Sequence, residues 1–269
     1  MKYAQLVLGP AGVGKSTYCE RLSQHCEVVG RPIHIVNLDP AAEAFHYPVT
    51  LDIRDLVTLE DVMEELNLGP NGGLMYCMEY FEENLHDWLG EELEGYSDDD
   101  YLVFDCPGQI ELYSHVQVFR TFIDYLKNDG WQVCAVHCLD SHFMTDITKY
   151  VAGCFQALAA MVHLAIPHIN IITKMDLCEN KSSIDEFLIP DSQLLLGELQ
   201  QRTGPKFLKL NQGIAQVVDE YSMLSFVPLD VTDEESIEVV LTHIDMATQF
   251  GEDAEVKVRD FDEKGGADD

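Results

Sequence analysis

The nine residues Gly9 to Thr17, GPAGVGKST, fit the spacing G-x-x-x-x-G-K-[ST] and follow the apolar run YAQLVL directly. That spacing is chemistry for a polyphosphate. Glycines let the backbone wrap an anion, and the amides of Gly12, Val13, Gly14, Lys15 and Ser16 would face it from a helix N-terminus. Lys15 would reach the β- and γ-phosphates, Ser16 would ligate Mg2+, and Thr17 completes the nucleotide-binding set. A second group, VFDCPGQIE, begins with an apolar run that ends in Asp105. A carboxylate there can hold Mg2+ through a water, and Gly108 would offer its amide to the γ-phosphate. A helix cap or turn residue is the plain alternative for Asp105.

The run IVNLDPAAE ends in Asp39. Asp39 would hold the Mg2+ shell or orient an attacking water, and Gln109 and Glu111 are further candidates for positioning that water. A carboxylate beside the γ-phosphate can accept a hydrogen bond from the nucleophile. Sequence leaves Asp39 and Glu111 level for this role. The plain alternatives are a turn cap for Asp39 and a solvated first-turn helix residue for Glu111. A third group, NIITKMD, offers Thr173, Lys174 and Asp176. The Asp176 carboxylate can accept from both N1–H and N2–H2 of guanine, whereas adenine would leave the buried carboxylate unpaired. Lys174 can lay its stem over the base. Alone this motif is weak; as the third in order it favours guanine. Finally, LGPNGG at Leu68 to Gly73 sets Pro and Gly around one amide, Asn71. Such a run is excluded from a helix interior or central strand and reads as a rigid surface turn.

These groups need a frame that brings them to one edge. The chain has 269 residues, 46% of them hydrophobic, enough for a substantial core. Its formal net charge is −32, which repels nucleic acid and anionic membranes, so neither is an expected partner. An anionic ligand would need a local device such as the phosphate loop. None of the eight cysteines forms a C-x-x-C pair, which points to free thiols in a reducing, intracellular setting. The N-terminal apolar run is too short for a signal peptide, and no stretch of about 20 apolar residues is present. Six apolar runs (YAQLVLG, PIHIVNLD, YLVFDC, VCAVHCLD, HINIITK and LSFVPLD) alternate with helical patterns near 15–28, 56–66, 112–128, 145–164 and 233–248. This alternation predicts an α/β fold, three layers around a mainly parallel sheet, with ligands beyond the strands' carboxyl ends. One domain is expected over 1–250, with helical insertions at 79–95 and 178–222. The acidic tail 251–269 is expected to be disordered.

Together the motifs resemble those of the GPN-loop GTPases, across residues 3–250. The resemblance implies a dimeric P-loop GTPase, either a homodimer or a heterodimer with a sister GPN-loop GTPase, using GTP and Mg2+ and releasing GDP. It implies that Gly69-Pro70-Asn71 enters the partner's active site, where Asn71 meets the γ-phosphate region or the attacking water. It further implies RNA polymerase II subunits as partners, with a role in polymerase assembly and nuclear import, and a cytoplasmic protein that shuttles to the nucleus. The tail has no basic import signal, so entry would need a partner. Some positions depart from relatives. Pro10 stands where related dimeric P-loop ATPases carry a second lysine, and Thr173 where many GTPases use Asn. No arginine finger is evident; Arg54 is the nearest candidate, with a salt bridge as its plain alternative. Phe226 and Pro228 are expected near the base. Two other classes stay in view, a scaffold that holds GTP without hydrolysing it and a P-loop small-molecule kinase. The second would need an arginine-rich lid that this chain lacks the basic residues to build.

Overall fold

A computed structural model of the chain describes residues 1–97, 100–178, 184–221 and 223–251; the tail from residue 252 lies outside them. In chain order the main elements are β1 (Lys2–Leu8), α1 (Lys15–Val29), β2 (His34–Asn37), β3 (Val49–Asp52), α2 (Leu59–Leu66) and α3 (Pro70–Glu83). There follow α4 (Gly90–Leu93), β4 (Tyr101–Asp105), α5 (Ile110–Ser114), α6 (Val118–Asn128), β5 (Trp131–Asp140) and α7 (Ile147–Leu164). The chain continues with β6 (His168–Thr173), α8 (Ser192–Arg202), α9 (Leu208–Glu220), β7 (Phe226–Pro228) and α10 (Glu234–Thr248). The seven strands form one sheet in the order β3-β2-β4-β1-β5-β6-β7, and every pairing is parallel.

Helices cover both faces, which is why the strands read as apolar runs rather than alternating ones. Along β1, Ala4, Leu6 and Leu8 turn to the face packed by α3 and α6. Tyr3 and Val7 turn to the face packed by α1 and α10. Helices α8 and α9 of the insertion close over α7 through Leu195, Leu199 and Val218. Helix α7 is long and apolar enough to cross a membrane by length and composition; here its buried residues pack on the sheet and on α8. All eight cysteines are unpaired.

Three expectations are corrected. Strand β3 is a seventh strand beside the six apolar runs: four residues at the sheet edge carry too short a period to register in sequence. The helical pattern 112–128 is two helices, because His163 on α7 donates to the Val116 carbonyl at 2.8 Å and captures the backbone between them. The Gly-Pro-Asn run begins α3 rather than forming a free turn, with Pro70 at the first helical position and Gly69 as its N-cap. Proline is tolerated there because its missing donor would have had no partner.

Gly73 is then explained by packing. A Cβ on it would lie 2.8 Å from Leu59 Cδ1 and 3.1 Å from Met63 Cγ, so its absence lets α3 approach α2. Overpacking costs roughly 1–3 kcal/mol and alanine's better helix propensity returns up to about 1 kcal/mol. Gly73→Ala is therefore expected to lower stability by about 1 kcal/mol in urea unfolding.

Candidate active site

Strand β1 lies at the centre of the sheet, with Val7 opposite Asp105 of β4 and Leu8 opposite His137 of β5. The loop that leaves it therefore opens at the carboxyl edge between two neighbours. Gly9, Gly12 and Gly14 have φ of 142°, 73° and 100°, values that favour glycine. Gly14 caps α1 with no side-chain bond, so the first-turn amides remain available to an anion. Lys15 is 8% exposed, and its ammonium donates to the Gly9 and Pro10 carbonyls at 3.1 and 3.3 Å. Ser16 and Thr17 are exposed at the loop mouth.

Asp105 is 3% exposed. Its Oδ2 accepts from the Tyr47 hydroxyl at 2.7 Å, while its buried Oδ1 has no hydrogen-bond partner among the described residues. Burial pushes the Asp105 pKa up; the Ser16 and Tyr47 hydroxyls and the Lys15 ammonium pull it back, and Asp39 adds to the rise. The Ser16 hydroxyl stands near the carboxylate without completing a hydrogen bond. Val7 and Asn37 flank Asp105 in register and the Leu38 amide donates to its carbonyl at 2.9 Å, which brings the phosphate loop and Asp39 to the same edge. Asp39 is half-buried; Oδ1 takes the Ala41 amide at 2.9 Å, and its own amide donates to Asn37 Oδ1 at 3.0 Å. It acts as a turn cap through one oxygen, and the second makes no hydrogen bond to a described residue. Among the described residues no three His, Cys, Asp or Glu side chains converge as a metal site. That suits Mg2+, which takes few protein ligands and completes its shell with phosphate oxygens and waters. Asp105 Oδ1 and the Ser16 hydroxyl fit that ion.

Beyond β4, Gly108 lies against the phosphate loop: a Cβ would fall 2.7 Å from Ala11 Cα and 2.8 Å from its nitrogen. Gln109 Nε2 donates to Asn71 Oδ1 at 3.0 Å, so the start of α3 meets the loop before α5 within one chain. Glu111 is exposed on α5. Arg54 bonds Asp52 through Nε and Nη2 at 2.9 and 2.6 Å and the Ala42 carbonyl through Nη1 at 2.9 Å. It is a clamp on the loop after Asp39, the salt-bridge alternative.

At the base end, the Thr173 hydroxyl lies 2.7 Å from the Val13 carbonyl and 3.2 Å from that of Leu139, and donates to the nearer. This ties the T-K-x-D loop to the phosphate loop. Lys174, at φ 60°, bonds Asp140 Oδ2 at 2.6 Å and its carbonyl accepts from Ser141. Asp176 is exposed rather than buried, and its carboxylate is bonded to no described residue. Phe226 is a core residue against Tyr150, at 6.1 Å between ring centroids, and Pro228 pairs with Ile172 in the sheet; neither is placed by a base-facing loop. Tyr47 lies in no motif, and Asn37 lies inside IVNLDPAAE, where the sequence assigns a role only to Asp39.

A family model described as "Conserved hypothetical ATP binding protein" matches residues 7–250. GPN-loop GTPase 3 of Mycosarcoma maydis is 50% identical over 275 residues, 97% of each chain. This chain belongs to the GPN-loop GTPase family. The Dictyostelium discoideum GPN-loop GTPase 3 is also 50% identical, over 95% of this chain and 90% of its own. In fold, the chain is similar to the apo form of PAB0955, a GTPase from Pyrococcus abyssi. That match has a TM-score of 0.75 and 21% identity over 91% of this chain and 97% of the other. A GPN-loop family member carries its Gly-Pro-Asn here at the N-terminus of α3, beside Gln109.

Proposed function

We propose that the chain is a Mg2+-dependent, GTP-binding and GTP-hydrolysing switch that works as a dimer. The observation that carries it is the junction of the phosphate loop with the T-K-x-D loop through Thr173 and Val13. That junction supports a phosphate loop and a carboxylate, Asp176, bonded to no described residue, on one edge. The family model's description names ATP and the relatives' names say GTPase. Asp176 supports guanine, because an unpaired carboxylate can take both guanine donors and neither pattern exists on adenine.

The loop amides and Lys15 would bind the phosphates, and a bound Mg2+ would neutralise charge building on them. Asp39, half-buried on the loop that leaves β2 beside Asp105, is better placed than exposed Glu111 to accept a proton from the attacking water. Gln109 and Asn71 would orient that water. GTP would draw the partner's Gly-Pro-Asn over the γ-phosphate, and hydrolysis would release it. The partner would be a second copy or a sister GPN-loop GTPase. Family resemblance supports RNA polymerase II subunits as clients, in assembly and nuclear import, for a cytoplasmic protein that shuttles. Exposed Phe207, Leu208 and Leu210 on the insertion support a client surface.

A GTP-holding scaffold with little hydrolysis is favoured by two observations: Gln109 is engaged by Asn71, and Arg54 by Asp52. Single-turnover hydrolysis separates the two readings. The nucleotide itself is tested by Asp176→Asn. GTP affinity should fall about 100-fold, while xanthosine triphosphate, with a carbonyl at C2 for the amide to donate to, should gain. Equal binding of ATP and GTP by the wild type, with no change in the variant, would remove guanine from the reading.

A further inference from the structure

Tyr47 lies outside every motif, on the loop between Asp39 and β3, and is 7% exposed. Its hydroxyl donates to Asp105 Oδ2 at 2.7 Å. Behind it a short stack fixes the ring. Phe45 packs on Tyr47 at 5.4 Å between centroids, and the Arg54 guanidinium sits 4.5 Å over the Phe45 ring. Asp52 fixes Arg54 in turn, and Arg54 also holds the Ala42 carbonyl. The loop that carries Asp39 is therefore pinned twice, at Ala42 and at Phe45–Tyr47.

A carboxylate has two equivalent oxygens and turns about its last bond. Inside a protein, a donor on one oxygen decides where the other points. Asp105 shows this arrangement: Oδ2 is taken by Tyr47, and Oδ1 is buried with no partner among the described residues. We propose that Tyr47 is a positioning residue for the metal carboxylate. It occupies Oδ2 so that Oδ1 faces the Mg2+ shell beside Ser16, and Phe45 and Arg54 hold it in place. This rests on the Mg2+-dependent reading above. It also gives Arg54 a role without a transition-state contact. The groups that orient a ligating side chain commonly matter by 10- to 100-fold in metal affinity.

The test is the Mg2+ dependence of nucleotide release. Release of a fluorescent GDP analogue from the full chain is timed across a Mg2+ titration, for wild type and Tyr47→Phe, with GDP affinity also measured in excess EDTA. The expected result is a half-saturating Mg2+ concentration raised about 10-fold in Tyr47→Phe, with EDTA affinity unchanged. A purely structural role would lower thermal stability or EDTA affinity and leave the Mg2+ midpoint in place. A wild type that binds GDP, with the same Mg2+ midpoint in Tyr47→Phe, overturns the positioning role alone. A wild type with no affinity for guanine nucleotide in either condition overturns the proposed function and this inference with it.

Discussion

Lys15→Ala is expected to cut GTP and GDP affinity by roughly 100-fold. Lys15 is the one cation placed in the phosphate loop, inside a chain of net charge −32. Charge-assisted hydrogen bonds contribute about 1.5–3 kcal/mol each, and a loss near 3 kcal/mol is about two decades of affinity. Mobile ions cannot replace the ammonium, because it is buried and bulk salt screens buried charges weakly. The same substitution leaves the Gly9 carbonyl without its lysine donor, while the Pro10 carbonyl keeps the Val13 amide at 3.3 Å. A stability loss of about 1 kcal/mol should accompany it, and thermal unfolding of the nucleotide-free protein separates that effect from binding. Fluorescence titration that gave equal affinities for variant and wild type would take the phosphate loop out of the site.

What could be read in advance follows the locality of the chemistry. The phosphate loop is nine consecutive residues whose glycines, lysine and serine each have a role fixed by chain geometry, so its spacing sufficed. The parallel sheet was legible because strands buried on both faces leave continuous apolar runs. Tyr47 was not legible. Its partner, Asp105, is 58 residues away, and a tyrosine between His46 and Pro48 carries no periodic or motif signal. Gly-Pro-Asn was legible as a terminator of what precedes it. That it also starts a helix depends on Gly73 fitting against Leu59 and Met63, a tertiary fact. Gln109 is legible from its place after Asp105; its bond to Asn71 is a tertiary contact that the sequence does not show. Asp176 and Lys174 differ in the same way: the motif placed both, but only the fold gives Lys174 its ion pair with Asp140.

The wild-type fold should also lose stability between pH 7.5 and 5.5 through two histidines that no site uses. His137 on β5 and His168 on β6 stack with ring centroids 5.9 Å apart. His137 is buried and His168 half-buried with its ring nitrogens enclosed, and among the described residues none of the four nitrogens has a hydrogen-bond partner. Burial pushes the His137 pKa down to about 4, with the Lys15 ammonium adding to it. Burial pushes His168 down to about 3, helped by His137 and opposed by Asn170. In the unfolded chain each titrates near 6.5. Between those values the unfolded state binds more protons, so this contribution is present above pH 6.5 and lost as pH falls. At pH 5.5 each site costs about 1.4 kcal/mol, close to 3 for the pair; the figure depends little on the folded values so long as they lie well below 5.5. The 48 acidic residues act the other way, since partial protonation relieves their mutual repulsion. The difference between variants is therefore the measurement, rather than the wild-type slope. His137→Leu with His168→Leu removes both titrations and four unpartnered nitrogens at similar volume, so stability at pH 7.5 should hold or rise. Urea unfolding at the two pH values should show the double variant gaining about 3 kcal/mol on wild type at pH 5.5 relative to pH 7.5. Equal losses in both proteins would mean that the folded state protonates these rings as readily as the unfolded chain does.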